Sequence, residues 1–182
     1  MNKVFISVTG EDRPGILSVV SEILFTIGCN IENISQTILQ NVFGALFIAS
    51  IPEDLDEDSL QARLTENLDE FDLDVFVKDY RVSNKKPVES LPFVITTFGP
   101  DRPGLVHAIT SIFYRNAINV TNLKAVFKGG EDPHENVMIF EVDVPADLEL
   151  KQLRSELQEA ATRLDLDLNI QHRQIFETMN RI

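Results

Sequence analysis

The chain repeats one short turn. TGEDRPGIL at residues 9–17 returns as FGPDRPGLV at residues 98–106. Between positions 10 and 33, eight residues recur identically 89 positions later. Two copies of one pattern indicate a duplicated domain, because a solenoid needs at least three stacked repeats. We call the two halves copy one and copy two.

Later matches are 93 positions apart, so copy two carries four additional residues. We place them in the polar stretch 128–135, whose shorter counterpart is residues 40–44. Both stretches are read as the hairpin between the second and third strands.

Each copy predicts the order strand, helix, strand, strand, helix, strand. VFISV and LPFVITTF are the first strands, and ALFIASI and VMIFEVDV are apolar third strands typical of a sheet interior. Between them, apolar residues recur at helical spacing. In the first helix they are Ile16, Leu17, Val20, Ile23, Leu24 and Ile27 in copy one, and Leu105, Val106, Ile109, Ile112 and Phe113 in copy two.

A βαββαβ unit of this length predicts a ferredoxin-like fold. The fold class is therefore α+β, with two four-stranded antiparallel sheets, each covered by two helices on one face. In the expected order 4-1-3-2, the second strand is an edge. We predict domains at residues 1–82 and 91–182, joined by a polar, proline-containing linker at 83–90.

The repeated turn lies where the first strand ends and the first helix begins. A helix N-terminus presents unpaired N–H groups and a partial positive charge, which suits a carboxylate. Pro14 fits the first helical turn, where its missing N–H costs nothing. Gly15 leaves the backbone open to another molecule. Asp12 either pairs with a ligand ammonium group or caps the helix, and Arg13 either contacts a carboxylate or lies in solvent. The copy-two counterparts are Asp101, Arg102, Pro103 and Gly104.

Asparagines also recur at equal offsets. Asn30 and Asn119 open the second strand of each copy, and Asn33 and Asn122 follow three residues later. They either contribute to a site at this edge or close the helix-to-strand turn. The equal spacing shows common descent of the two copies.

Composition excludes several classes of function. The net charge is −13 and the pI is about 4.5, so no basic face for nucleic acid is expected. The single cysteine, Cys29, precludes an intramolecular disulfide and is expected to be a small buried hydrophobe. Neither a signal peptide nor an apolar run of membrane-spanning length is visible, so a cytoplasmic location is expected.

No catalytic constellation is visible, so we expect a protein that is neither an enzyme nor dependent on a cofactor. His107 and His172 lie apart in the sequence. His134 lies in the insertion with Glu131, Asp132 and Glu135, but the spacing matches no metal motif. We therefore expect this segment to be a solvated polar hairpin.

The Asp-Arg-Pro-Gly-[Ile/Leu] turn, followed about fifteen residues later by GCNIENIS or AINVTNLK, resembles the ACT domain, a small regulatory amino-acid-binding module. GEDRPGIL and GCNIE in particular resemble the glycine cleavage system transcriptional repressor family, which is built from two ACT copies. The resemblance covers essentially the whole chain.

This resemblance implies ACT domains packed edge to edge, with a small amino acid such as serine or glycine between the turn of one domain and the start of the second strand of its neighbour. Together with the acidic charge, this favours regulation of a partner protein without direct DNA contact, and the absence of a long apolar run predicts no membrane association. The exposed edge strands predict that the copies pair with each other or with a second chain, as a homodimer. The alternative is an interaction module that dimerises without a functional ligand site. The candidate ligand-binding residues are Gly10, Asp12, Arg13, Pro14, Gly15, Ile16 and Asn30, and Gly99, Asp101, Arg102, Pro103, Gly104, Leu105 and Asn119.

One departure from the family pattern concerns the ligand. The best-known amino-acid-binding members carry Asn at the positions of Asp12 and Asp101. The exchange of Asn for Asp removes a hydrogen-bond donor and adds a negative charge.

Overall fold

The structure is a computed structural model that describes residues 2–81, 88–126 and 136–175. The chain divides into two compact units, Met1–Lys85 and Lys86–Ile182, which hold copy one and copy two. Most of the predicted linker lies outside the described residues, as does the predicted insertion with His134. Ser90, the last residue of that linker, begins a strand.

Copy one forms a single antiparallel sheet with two helices. Its strands lie in the order β2-β3-β1-β4, so β2 and β4 are the edges. A short 3-10 helix at Asp69–Phe71 precedes the last strand. The elements are β1 (Asn2–Glu11), α1 (Ile16–Ile27), β2 (Asn30–Leu39), β3 (Val42–Ile51), α2 (Glu57–Leu68) and β4 (Leu73–Asp79).

Copy two repeats this topology with the order β6-β7-β5-β8. The predicted α+β fold and the edge position of the second strand are confirmed in both copies. The elements are β5 (Ser90–Gly99), α3 (Leu105–Arg115), β6 (Asn119–Val126), β7 (Asn136–Pro145), α4 (Leu150–Arg163) and β8 (Asp167–His172).

In each copy, the core lies between one sheet face and the two helices. Strand alternation turns every second residue of β1 and β3 toward the helices, and Leu60, Leu64 and Leu68 cover them from α2 at a spacing of one helical turn. Cys29 is buried in this core, as predicted, and burial raises the pKa of its thiol. No helix formed by the described residues is long and apolar enough to cross a membrane.

The second strands of the two copies, β2 and β6, share an irregularity. The pairing of β2 with β3 shifts between Ile31 and Asn33, and that of β6 with β7 shifts between Val120 and Asn122. Each shift leaves one extra residue in the edge strand, which is a β-bulge. Asn33 and Asn122 therefore lie inside strands, so the interpretation that they close the helix-to-strand turn is wrong.

Candidate functional site

The repeated turns begin their helices without a side-chain cap. Gly15 and Gly104 occupy the N-cap positions of α1 and α3 with φ of 98° and 91°, in the left-handed region. Neither helix has a side-chain hydrogen bond at its cap, so the interpretation of Asp12 and Asp101 as helix caps is wrong. The first-turn N–H groups of both helices thus remain available to an anion.

The prolines lie just outside the helices. Each helix begins two residues after its proline, at Ile16 and Leu105. The left-handed glycine between them prevents helical geometry from extending back to Pro14 or Pro103. The prediction of proline in the first helical turn is therefore wrong by two residues, although the proline still rigidifies the turn.

The first glycine of each motif has a packing role that the sequence did not reveal. A Cβ on Gly10 would lie 2.6 Å from Leu73 Cδ2 and 2.9 Å from the Asp72 carbonyl oxygen. A Cβ on Gly99 would lie 2.7 Å from the Asp165 carbonyl oxygen. The turn before the closing strand therefore leaves room only for glycine at these positions.

The second glycine is different. No described heavy atom lies within 4 Å of a Cβ placed on Gly15 or Gly104, so only the backbone conformation requires glycine there. A ligand could approach the backbone of this turn closely because no side chain projects from it.

The motif arginines contact the closing turn of their own copy. The Arg13 guanidinium lies 5.1 Å from the centre of the Phe71 ring, within the range of a cation–π contact. Arg102 Nη2 lies 2.6 Å from Asp165 Oδ2. Both arginines therefore have partners within the protein, and their contact with a ligand carboxylate stays a prediction.

A hollow lies at each turn. In copy one it measures about 120 Å³ and in copy two about 630 Å³. Sequence reasoning missed Gln36 and Phe43, because they reach the hollow from β2 and β3 rather than from the repeated turn. It also missed His107, which lines the copy-two hollow from the exposed face of α3. The copy-one hollow is lined by Asp12, Arg13, Gly15, Ile16, Leu17, Gln36 and Phe43, and the copy-two hollow by Asp101, Arg102, Gly104, Leu105, Val106, His107 and Thr110.

The asparagines that open the second strands lie far from the turn of their own copy. Asn30 pairs with Ser50, which pairs with Lys3 near the start of β1, whereas the turn follows the end of β1. At about 3.4 Å per residue, the separation is roughly 25 Å. Asn119 is placed in the same way through Asp143 and Pro92. Within one copy, the structure does not bring these predicted site residues together with the turn.

The comparison with known proteins gives the family. The ACT-domain model matches residues 2–78 and 92–171. UPF0237 protein MK1213 of Methanopyrus kandleri is 32% identical over 89 residues, which are 49% of this chain and 96% of that protein. UPF0237 protein CPE1496 of Clostridium perfringens is 29% identical over 90 residues, covering 49% of this chain and 97% of the relative.

Two solved structures have the same fold. A protein of unknown function from Galdieria sulphuraria superposes with a TM-score of 0.77 at 21% identity, covering 94% of this chain and 98% of the other. A "putative glycine cleavage system transcriptional repressor" superposes with a TM-score of 0.67 at 22% identity, covering 93% and 96%. These likenesses show the shared fold, and the model match over both repeats establishes that the chain belongs to the ACT-domain family, in tandem form.

Proposed function

We propose that this chain is a regulatory protein that binds a small amino acid at its repeated strand-to-helix turns and thereby controls a partner protein. One observation carries the proposal: α1 and α3 both begin after a left-handed glycine, with no side-chain cap and with an aspartate in the same hollow. The left-handed glycine and the lack of a capping side chain leave the first-turn N–H groups of both helices open to an anion.

The chemistry of the turn matches a zwitterion. The first-turn N–H groups and the helix dipole favour a carboxylate, and a carboxylate side chain nearby favours an ammonium group. Asp12 and Asp101 supply that second charge. The copy-one hollow brings Asp12 together with Ile16, the first residue of α1.

The start of β2 could complete the site only from a neighbouring domain, and a second copy of the chain would supply one. If two β2 edges pair antiparallel, the start of one strand lies beside the end of the other. The end of β2 is at the same end of the sheet as the turn, because Ile38 and Gly10 both pair with Phe43. A homodimer of this kind would bring an Asn30 to the turn of the other subunit.

Control of transcription would act through another protein. One structure of the same fold carries a transcriptional repressor description. A net charge of −13 repels the phosphate backbone, so direct DNA binding is not proposed. The proposed role is a ligand-dependent contact with a regulatory partner, with no catalytic step.

The first experiment is calorimetric titration with the twenty amino acids. It uses the wild type, the single Asp12→Ala and Asp101→Ala variants, and the double variant. Loss of a hydrogen bond to a charged group costs about 1.5–3 kcal/mol, so affinity should fall roughly tenfold to a hundredfold. Asp→Asn retains an acceptor and should cost less. Asp147→Ala, at an exposed aspartate outside both hollows, is the matched control and should leave affinity unchanged. Equal Kd values for the wild type and the folded double variant would contradict the proposal.

A specific observation also favours an interaction module without a ligand. On the copy-one sheet face away from the helices, Val42 is 48% exposed, Leu46 49% and Phe76 52%. Such side chains are suited to contact with another protein. The same calorimetry separates the two functions: the interaction module predicts no heat with any amino acid, together with a stable dimer in light scattering.

A further inference from the structure

A groove lies between the two helices of copy one. Its volume is about 280 Å³, and it is separate from the hollow at the first turn, because no residue lines both. The residues that line the groove are Val19, Glu22, Ile23, Thr26 and Ile27 of α1 and Asn67 of α2. The proposed amino-acid site therefore leaves this surface unused.

The apolar side of the groove is a row of three side chains on α1. Val19, Ile23 and Ile27 follow one another at intervals of four residues, so they lie on one side of the helix. They pack against the core but are only partly buried. At a rise of 1.5 Å per residue, the row is about 12 Å long, a little over two helical turns. In the commonest class of helix packing, a second helix sets a row of its own with the same spacing against such a row.

The rim of the groove is acidic. Glu22 belongs to the lining, and Glu66 and Glu70 lie one residue before and three residues after Asn67. Apart from Arg63, every charged residue of α1 and α2 is acidic, and all of these residues are exposed. A negative rim repels nucleic acid and anionic membranes, and it attracts a basic protein surface.

Copy two fills the equivalent place. The residues that match Val19 and Ile27 are Ala108 and Asn116. Asn116 Nδ2 donates a hydrogen bond of 3.1 Å to Glu156 Oε2, which joins the end of α3 to α4. The charge is also reversed: α3 and α4 carry four basic and two acidic residues, whereas α1 and α2 carry four acidic residues and one basic residue. The open acidic groove is therefore a property of copy one and not of the duplicated unit.

We propose that this groove binds a basic amphipathic helix of a partner protein, with apolar residues four positions apart against α1 and with lysine or arginine on either side of them. The row on α1 complements a second apolar row, and the acidic rim complements basic flanks. A second copy of the chain is the less suitable occupant. Its basic helices are α3 and α4, where Ile112, the counterpart of Ile23, is only 3% exposed. The inference goes beyond the proposed function and does not require a bound amino acid.

The probe is a fluorescein-labelled synthetic peptide of about four helical turns. It carries leucines at i, i+4 and i+8, lysines beside them and alanines elsewhere. Fluorescence anisotropy with the full chain should show saturable binding, and the backbone amide resonances that shift should belong to α1 and α2 and not to α3 and α4. Two control peptides carry glutamate in place of lysine or serine in place of leucine. Each should bind at least about tenfold more weakly, because one loses the charge attraction and the other the apolar contact.

Variants that install copy-two residues test the apolar row. The double variant Val19→Ala, Ile27→Asn removes most of the row, so the affinity for the lysine peptide should fall roughly tenfold or more. Ser21→Thr is the matched control, because it also installs a copy-two residue on α1 but lies outside the groove lining. It should leave the affinity unchanged.

A charge reversal tests the rim without altering the core. Glu22→Lys should weaken binding of the lysine peptide roughly threefold to tenfold and should strengthen binding of the glutamate peptide. Glu159→Lys makes the same change at an exposed residue of α4 and should alter neither affinity. If the double variant does not fold, Glu22→Lys decides.

Three results would overturn the inference. They are the absence of saturable binding, unchanged affinity for the lysine peptide in Glu22→Lys, and resonance shifts in α3 and α4 instead of α1 and α2. A wild-type dimer that the folded double variant converts to a monomer in light scattering would also overturn it, because a second copy would then fill the groove. Amino-acid calorimetry is a separate measurement, so the proposed function stands or fails there whatever the peptide does.

Discussion

The two copies share one turn but support it with different side chains. Arg13 lies over the Phe71 ring, whereas Arg102 forms an ion pair with Asp165. The residue that matches Phe71 in copy two is Leu164, which offers no aromatic face. The shared motif therefore determines the backbone of the turn, and residues more than fifty positions away determine what its side chains contact.

The first glycine of each motif, in contrast, has the same contacts in both copies. Gly10 and Gly99 meet the same obstacles in both copies, a leucine side chain and an aspartate carbonyl from the turn before the closing strand. The backbone requirements of the duplicated unit are preserved, while its side-chain contacts have diverged. Mutations at equivalent positions can test this distinction.

The largest effect is expected at these close contacts. Gly10→Ala and Gly99→Ala each place a Cβ within 2.9 Å of a backbone carbonyl oxygen, which cannot shift cheaply. Overpacking of this kind costs about 1–3 kcal/mol, measured by urea denaturation. Gly44→Ala is the control, since its nearest contact is Thr37 Cγ2 at 3.9 Å. Destabilisation by only one of the two substitutions would break the equivalence of the copies.

A smaller effect is expected at the second helices, where the copies differ. Asp56 Oδ1 accepts a hydrogen bond of 2.8 Å from the Ser59 N–H at the start of α2, whereas Glu149 makes no side-chain hydrogen bond at the start of α4. Asp56→Ala should therefore lower the thermal midpoint at neutral pH. Glu149→Ala, the matched control, should not.

Acidification sharpens this test. Hydrogen bonds from Ser59 lower the pKa of Asp56 below its ordinary value. The stabilisation is then complete above the pKa of the unfolded chain and is lost as the pH falls through the lower pKa of the folded state. The difference in thermal midpoint between the wild type and Asp56→Ala should close on acidification. A difference that stays constant down to the acid limit would contradict the cap.

The smallest effect is expected at the arginines. The Arg102 and Asp165 side chains are 47% and 67% exposed, so their ion pair contributes less than about 1 kcal/mol and weakens with salt. The contact of Arg13 with Phe71 contributes about 0.5–1 kcal/mol. We expect the loss in unfolding free energy on Arg102→Ala to fall at high salt more than the loss on Arg13→Ala.

A double-mutant cycle completes this test. Phe71→Leu installs the copy-two residue in copy one and should remove most of the effect of Arg13→Ala. Additive effects of the two substitutions would show that the ring contact contributes nothing.

The spacing of apolar residues predicted the fold, and each element was indicated twice because the sequence holds two copies of the unit. The helix faces that begin at Ile16 and Leu105 are buried as expected, and the strand order follows from the βαββαβ pattern. A local sequence pattern does not reveal which distant residue a side chain contacts. The contacts of Arg13 with Phe71 and of Gly10 with Leu73 join segments about sixty residues apart, so the sequence could not reveal them.

The buried polar residues Thr97 and Asn136 escaped prediction for a related reason. Thr97 and Asn136 differ from their copy-one counterparts, and comparison by identity between repeats draws attention to what is shared. A comparison that asks where one copy is polar and the other apolar would have found both positions. The N-cap residue was assigned wrongly, because the left-handed conformation that makes Gly15 and Gly104 the N-caps can be seen only in the backbone of the structure.

The bulges at Glu32 and Thr121 affect how readily strands of other chains can add to the edges of these sheets. An unpaired strand edge is a template on which identical chains can add without limit, as in fibrils. A bulge interrupts the ladder and increases the local twist, so a flat incoming strand pairs less readily along this edge than along a regular one. In copy one, the stretch without a bulge is Asn33–Leu39. An edge of this kind favours a closed pair over a polymer.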